Sequence, residues 1–301
     1  MKTISKQKNS VLFVFLFLPI SLMLLFVLFP TIEMFRVSFT SWDGLSKTQE
    51  LVGLTNYKEI LTNSPEVWLS LRNNAIYFFV HAFFIPIELI IAAILDRKIR
   101  GSKFFKTVIF MPYIINGVAI AYTFSFFFSP INGALNGILE KIGLGMLIRN
   151  WLTDVRIVNL TLAGVSLWRF SGVHVILFLA GIQSIHTELL ESAMIDGANA
   201  WQKFRFIIVP GVRRVLEVIL FLNLRGALQV FDIPFIMTNG GPGHASSTFT
   251  TYTLETAFKF SSYGTASAMG VSLICLIILL NWIQNKVFNI KGVGFTNENN
   301  S

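Results

Sequence analysis

The stretch VLFVFLFLPISLMLLFVLF, from Val11 to Phe29, holds 19 residues and no charge. At about 1.5 Å of rise per residue, a helix of that length matches the roughly 30 Å of hydrocarbon in a bilayer. It follows a basic tail (Lys2, Lys6, Lys8), yet it is too long for a secretory h-region, and no small-x-small cleavage site follows Pro30. It reads as a retained first membrane span, about 11–30. Runs of comparable length follow at about 75–95, 107–129, 160–183, 215–237 and 266–288, six in all. Lipid offers the backbone no partners, and none of these runs alternates as a barrel strand would, so each is expected as a helix. The fold expected is an all-α integral membrane protein, with residues 1–301 forming a single transmembrane domain.

Composition agrees. Of the 301 residues 53% are hydrophobic and only 13% charged, with 30 Phe and a mean hydropathy of +0.65, which excludes a soluble enzyme. The net charge of +8 does not point to nucleic acid, because the basic residues cluster in short segments between apolar runs. With the N-terminus inside, the cytoplasmic segments hold 14 Lys and Arg and the longer outside loops hold 8, Arg72 among them, which places both termini in the cytoplasm. Cys275 is the only cysteine and lies in an apolar run, so no disulfide or cysteine metal site forms within the chain. There is no P-loop, H-E-x-x-H or G-x-S-x-G, and His81, His174, His186 and His244 lack metal spacing. Neither an intrinsic enzyme nor a bound metal is expected. The polar residues from Gly292 to Ser301 read as a disordered tail.

Two loops stand out. The outside segment from Thr31 to Asn74 is long enough for a small cap. The inside segment from Ser184 to Arg214 is helix-prone: Thr187 is placed to cap it, Glu188 and Glu191 complement its dipole, Gly197 breaks or bends it, and Pro210 marks entry into the fifth span. The glycine-rich run from Thr238 to His244 reads as a bare turn.

Ionisable groups inside spans default to the bundle interior or a water-filled path. On the fifth span Arg225, Gln229 and Asp232 stand at i, i+4 and i+7, one face of a continuous helix. Such a stripe suits a hydroxyl-rich solute, and equally suits helix-to-helix pairing. Arg225 either faces an acidic group of the solute or pairs with Asp232. The fourth span adds Trp168, Arg169, Ser171 and His174, and the third Tyr113, Asn116, Tyr122 and Thr123. On the second, Asn74, Tyr77, His81 and Glu88 share a face and read as glue between helices.

The inside loop carries Glu191-Ser192-Ala193, then Gly197, Ile207 and Val209-Pro210. This resembles the E-A-A, Gly, I-x-L-P signature of the inner-membrane permease subunits of binding-protein-dependent ABC importers, of the oligosaccharide type. Two departures are Ser192 at the middle position and His186 where the family carries Pro. The likeness extends to Gly53-Leu54-Thr55-Asn56-Tyr57, Pro112, Gly133, Asn136, Trp168-Arg169, Val230-Phe231-Asp232 and Thr238-Asn239-Gly240-Gly241-Pro242.

The resemblance implies a multi-pass protein of the bacterial cytoplasmic membrane that is not itself an enzyme and passes a sugar, an oligosaccharide above all. It implies four kinds of partner: a second homologous permease, two copies of a cytoplasmic ATP-binding subunit that carry the ATP and Mg, an extracytoplasmic solute-binding protein, and the sugar. No cofactor is expected in this chain. A coupling helix from about Glu188 to Lys203 would dock on the ATPase, with Glu188, Glu191, Ser192, Ala193, Asp196, Gly197, Ile207 and Pro210 as its residues. The sugar path is expected at Trp168, Asn223, Arg225, Gln229 and Asp232. The alternative is an ion-coupled secondary transporter using Arg225, Asp232 and Glu88, against which stand the lack of inverted repeats and the loop helix.

Overall fold

A computed structural model of the chain describes residues 12, 15–97 and 100–288. Lys2, Lys6, Lys8, Val11, Lys98, Lys291 and the tail from Gly292 to Ser301 lie outside the described residues. The helices are α1 (Phe15–Val37), α2 (Thr55–Thr62), α3 (Pro65–Asp96), α4 (Ser102–Ile114), α5 (Gly117–Phe127), α6 (Ala134–Lys141), α7 (Val158–Gln183), α8 (Thr187–Ile195), α9 (Ala200–Lys203), α10 (Arg213–Leu228), α11 (Asp232–Thr238), α12 (Phe249–Phe258) and α13 (Tyr263–Phe288). Among the described residues the only β pairing is an isolated bridge between Thr40 and Leu51.

Five segments are long and apolar enough to cross a membrane (α1, α3, α7, α10 with α11, and α13), and α4 with α5, bent by 95°, brings the number to six where the bent pair counts as one span. Five to six spans fit the expected six at its upper count, and two spans expected to be continuous are broken.

The third breaks at Ile115, whose extended backbone (φ −67°, ψ 138°) leads into Asn116. There the Asn116 side chain accepts from Val118 N at 2.8 Å and starts a fresh helix at Gly117. The fifth breaks at Gln229–Phe231 because Pro234 has no N–H and its ring clashes with the carbonyl four residues back, that of Val230. The second span starts ten residues earlier than expected, at Pro65, so Arg72, Asn73 and Asn74 are helical and not part of an outside loop. Their polarity masks the helix in a hydropathy reading.

Two compact units make up the chain. In the first, residues 12–64 and 253–276 among those described, the Gly53-to-Tyr57 motif has a structural use. Buried Asn56 donates from its amide to Ser38 O and Thr40 O, both at 2.8 Å, and accepts from Thr265 Oγ1 at 3.3 Å. Tyr57 OH meets Ser38 Oγ at 2.7 Å. Gly264 lies so close to Thr40 O that a Cβ there would collide with it.

In the second unit, residues 65–252 and 277–288 among those described, α3 packs along α7. One apolar cluster gathers Tyr77, Ile120, Val158, Leu162, Val165, Ile233 and Met237, and the other Ile85, Leu89, Ala92, Val175, Phe178, Ile182 and Ile219. Gly172 brings α7 against the α4 backbone at Ile109 O, an approach that a Cβ would forbid.

Between the fourth and fifth spans, α8 does not begin on a Thr187 cap. His186 is the N-cap, with no side-chain bond, and Thr187 is the first helical residue. Its other end follows the expectation for Gly197, which takes φ +80°. Gly197 N donates to Met194 O at 3.1 Å and Ala198 N to Ala193 O at 2.9 Å, the paired bonds of a Schellman ending. Asn199 and Gln202 then form a capping box that opens α9, which passes through a π-helical turn (Phe204–Ile208) into Val209–Gly211.

Two outcomes are expected. Asn56→Ala strands two buried carbonyls and should destabilise the first unit by about 2–4 kcal/mol, read as a lowered unfolding midpoint in detergent; an unchanged midpoint contradicts the role. Asp43 accepts from Leu45 N, Ser46 N and Ser46 Oγ at 2.8–2.9 Å, and these bonds, that of Ser46 N foremost, hold its carboxyl at about 2, below the usual 3.8. The turn's gain from ionised Asp43 is therefore complete above the usual value and lost only as pH falls through about 2. A carboxyl-carbon NMR titration with a midpoint near 3.8 contradicts this.

Candidate functional site: an intramembrane cavity beside two broken spans

Where the fifth span breaks, its freed backbone groups find partners on other elements. The amide of Asn74 on α3 donates to Ala227 O at 2.5 Å and Leu228 O at 3.2 Å, the orphaned end of α10, while its Oδ1 accepts from Phe249 N at 2.8 Å. Thr248 Oγ1 donates to Val230 O at 2.8 Å, the carbonyl that Pro234 leaves unpaired. The segment from Thr238 to Thr248 is therefore more than a bare turn. Asn73 donates to Ala245 O and Ser247 O, each at 2.9 Å, Asn159 donates to Ala245 O at 2.7 Å, and Ser246, Ser247 and Thr248 are buried.

Beside this break lies a cavity of about 510 Å³. Tyr77 and His81 of α3 line it, with Tyr113 of α4, Ser166, Arg169, Phe170, Val173 and His174 of α7, Leu222, Asn223, Gly226 and Ala227 of α10, the broken stretch Gln229–Phe231, and Asp232 of α11. Asn223, Gln229 and Asp232, expected on the path, are thus brought together. Trp168 and Arg225 are not. One residue from Arg169 on a helix, Trp168 is turned about 100° away, and its ring packs on Phe124 at 5.2 Å. Arg225 is exposed, with Nε donating to Gln229 Oε1 at 3.3 Å. Because the helix stops at Leu228, the single-face reading of Arg225, Gln229 and Asp232 fails at Asp232.

Asp232 pairs with Arg169 rather than Arg225. The pair sits at the first residue of α5: a Cβ on Gly117 would collide with Asp232 Oδ2 and Arg169 Nη1. Three helices thus meet at one ion pair, and the carboxylate lies at a helix N-terminus, where backbone N–H groups favour it. Deeper in, Glu88 Oε2 meets His174 Nδ1 at 2.9 Å and His81 Nε2 meets Ser166 Oγ at 3.1 Å, all four residues buried. This agrees with reading the polar face of the second span as interhelical glue, and His81 and Tyr77 face the cavity as well. Arg169, Tyr113, Phe170 and Phe231 were not singled out for the path. Periodicity on one helix does not show a partner 63 residues away.

Among the described residues no cluster of three or more His, Cys, Asp or Glu is placed to hold a metal. The other expected site is an open surface. α8 buries none of its residues, Leu189, Met194, Ile195, Trp201 and Phe206 are exposed, and a shallow groove of about 320 Å³ runs past Ala193, Asp196, Gly197, Lys203 and Ile207. Glu188, Glu191, Ser192 and Pro210 are exposed on the same segment.

Residues 85–288 match the model of the family described as binding-protein-dependent transport system inner membrane component. The probable ABC transporter permease protein YurN of Bacillus subtilis is 35% identical, over 94% of this chain and 97% of that one. The multiple sugar-binding transport system permease protein MsmF of Streptococcus mutans is 29% identical, over 91% and 93%. In fold the chain resembles a subunit of a solved bacterial ABC transporter involved in the import of the acidic polysaccharide alginate, with a TM-score of 0.82 at 22% identity over 95% of this chain and 98% of that one.

Gly117→Ala is expected to force the Arg169–Asp232 pair apart and lower stability by about 1–3 kcal/mol. A thermal midpoint equal to that of the parent protein contradicts the close approach.

Proposed function

The chain belongs to the family of binding-protein-dependent transport system inner membrane components, and from that premise we propose that it passes a sugar, foremost an oligosaccharide, across the cytoplasmic membrane. It is a multi-pass permease component and not an enzyme. The cavity supports the sugar reading. It combines amide, hydroxyl and imidazole groups with the aromatic faces of Tyr113, Phe170 and Phe231, the mixture that hydroxylated rings with apolar faces require. Asn223, Gln229 and Asp232 take the path role, joined by Arg169, while Trp168 and Arg225 flank it.

Both termini lie in the cytoplasm in this reading, so α8, α9 and the turn after them face it too. That segment is the coupling element. The observation that carries this role is the exposed apolar face of Leu189, Met194, Ile195, Trp201 and Phe206, a surface whose burial needs a partner. Glu188 and Glu191 supply charge beside it, Ser192, Ala193 and Asp196 carry α8 into its ending at Gly197, and Ile207 and Pro210 lead toward the fifth span. The partner is a cytoplasmic ATPase, present in two copies and carrying ATP and Mg. A second homologous permease completes the membrane part, and a solute-binding protein delivers sugar from outside.

Glu191→Lys reverses the charge, and Gly197→Val puts a branched side chain at φ +80°. Each is expected to abolish sugar uptake in cells while the protein remains inserted in the membrane, checked by immunoblot of washed membranes. Normal uptake in both variants overturns the coupling role.

A further inference from the structure

We propose that the Arg169–Asp232 pair makes this permease selective for uncharged sugars over those bearing carboxylates. The inference rests on the sugar reading above and narrows it to a substrate class. Arg169 is the only Lys or Arg in the cavity lining, and it is already committed to Asp232. Its side chain is 15% exposed against 34% for Asp232, so the open member of the pair is the carboxylate. The remaining cation candidate, His174, is held by Glu88, and His81 by a neutral hydroxyl. Arg225 is exposed and lies outside the lining.

A uronate entering this space meets a carboxylate and no uncommitted cation, and pays the desolvation of its own charge without a partner. A neutral sugar meets groups suited to it. Tyr113 offers an accessible hydroxyl, and Asn223 and Gln229 carry amides in the same wall. These are neutral acceptors and donors, the set that hydroxyls satisfy.

The test uses the intact assembly purified from native membranes and reconstituted in nanodiscs, without the solute-binding protein, whose own preference would mask the cavity's. Binding of neutral trisaccharides (maltotriose, cellotriose) and of trigalacturonate is measured by calorimetry. The parent protein should favour a neutral probe by about tenfold or more. Asp232→Asn frees the Arg169 charge and should move the ratio toward trigalacturonate by about tenfold, while Arg169→Gln with Asp232→Asn, again balanced, should restore the neutral preference. A purely structural pair would lower both affinities together and leave their ratio fixed in both variants, and that result overturns the proposal. Tighter binding of trigalacturonate by the parent protein also overturns it and leaves the sugar reading standing. No binding of any sugar, with no sugar uptake by the complete system, sinks the sugar reading and the selectivity with it.

Discussion

A peptide group inside lipid must find a partner, and the second unit of this chain is organised around two places where helices stop short of providing one. Pro234 ends the fifth span's continuity at Val230, and Asn116 restarts the third. A buried polar group left unpaired costs about 1–3 kcal/mol, so such breaks persist only if side chains from elsewhere repair them. Asn74 does so twice, donating to the end of α10 and accepting from the start of α12, and Thr248 takes the carbonyl between. The loop after α11 is consequently held in place by Asn73 and Asn159. The space opened where the helix stops becomes the cavity.

The Arg169–Asp232 pair and the Glu88–His174 hydrogen bond are weak evidence for stability, since desolvation offsets much of what such buried polar contacts gain. Their effect is on geometry. Asp232 begins one helix, Arg169 sits midway along another, and Gly117 starts a third, so their meeting fixes the relative positions of α5, α7 and α11 at one point. Glu88 and His174 do the same for α3 and α7 on the far side of His81.

Much of this was legible from residue order. Bilayer thickness sets helix length, so the spans at 158–183 and 263–288 were located within a few residues. The ending at Gly197 was legible too, because a left-handed residue and a following cap are local events. The start of α3 was not, since Arg72, Asn73 and Asn74 look like loop until their partners are known. The break before Asp232 had a local sign in Pro234, but a hydropathy window averages over it and suggests a straight polar stripe. Arg169 was visible as an intramembrane charge, yet its pairing with Asp232 depends on how separate helices pack.

The same packing links the segment after α7 to the cavity. α7 and α10 flank that segment in sequence, and both line the cavity. They are keyed together at the segment's edge: a Cβ on Gly181 would meet Val215 at 2.7 Å, and one on Gly211 would meet Ile185 at 2.7 Å. A close-packed contact of that kind transmits displacement rather than absorbing it. Packing therefore runs continuously from the edge of that segment along α7 to Arg169 and along α10 to Asn223. The α10 route ends at Gln229–Phe231, a non-helical stretch held by Thr248 at Val230 O and by Asn74 at the end of α10. Beyond it Asp232 stays tied to Arg169 and to the start of α5, so the two routes converge on that ion pair in the cavity wall.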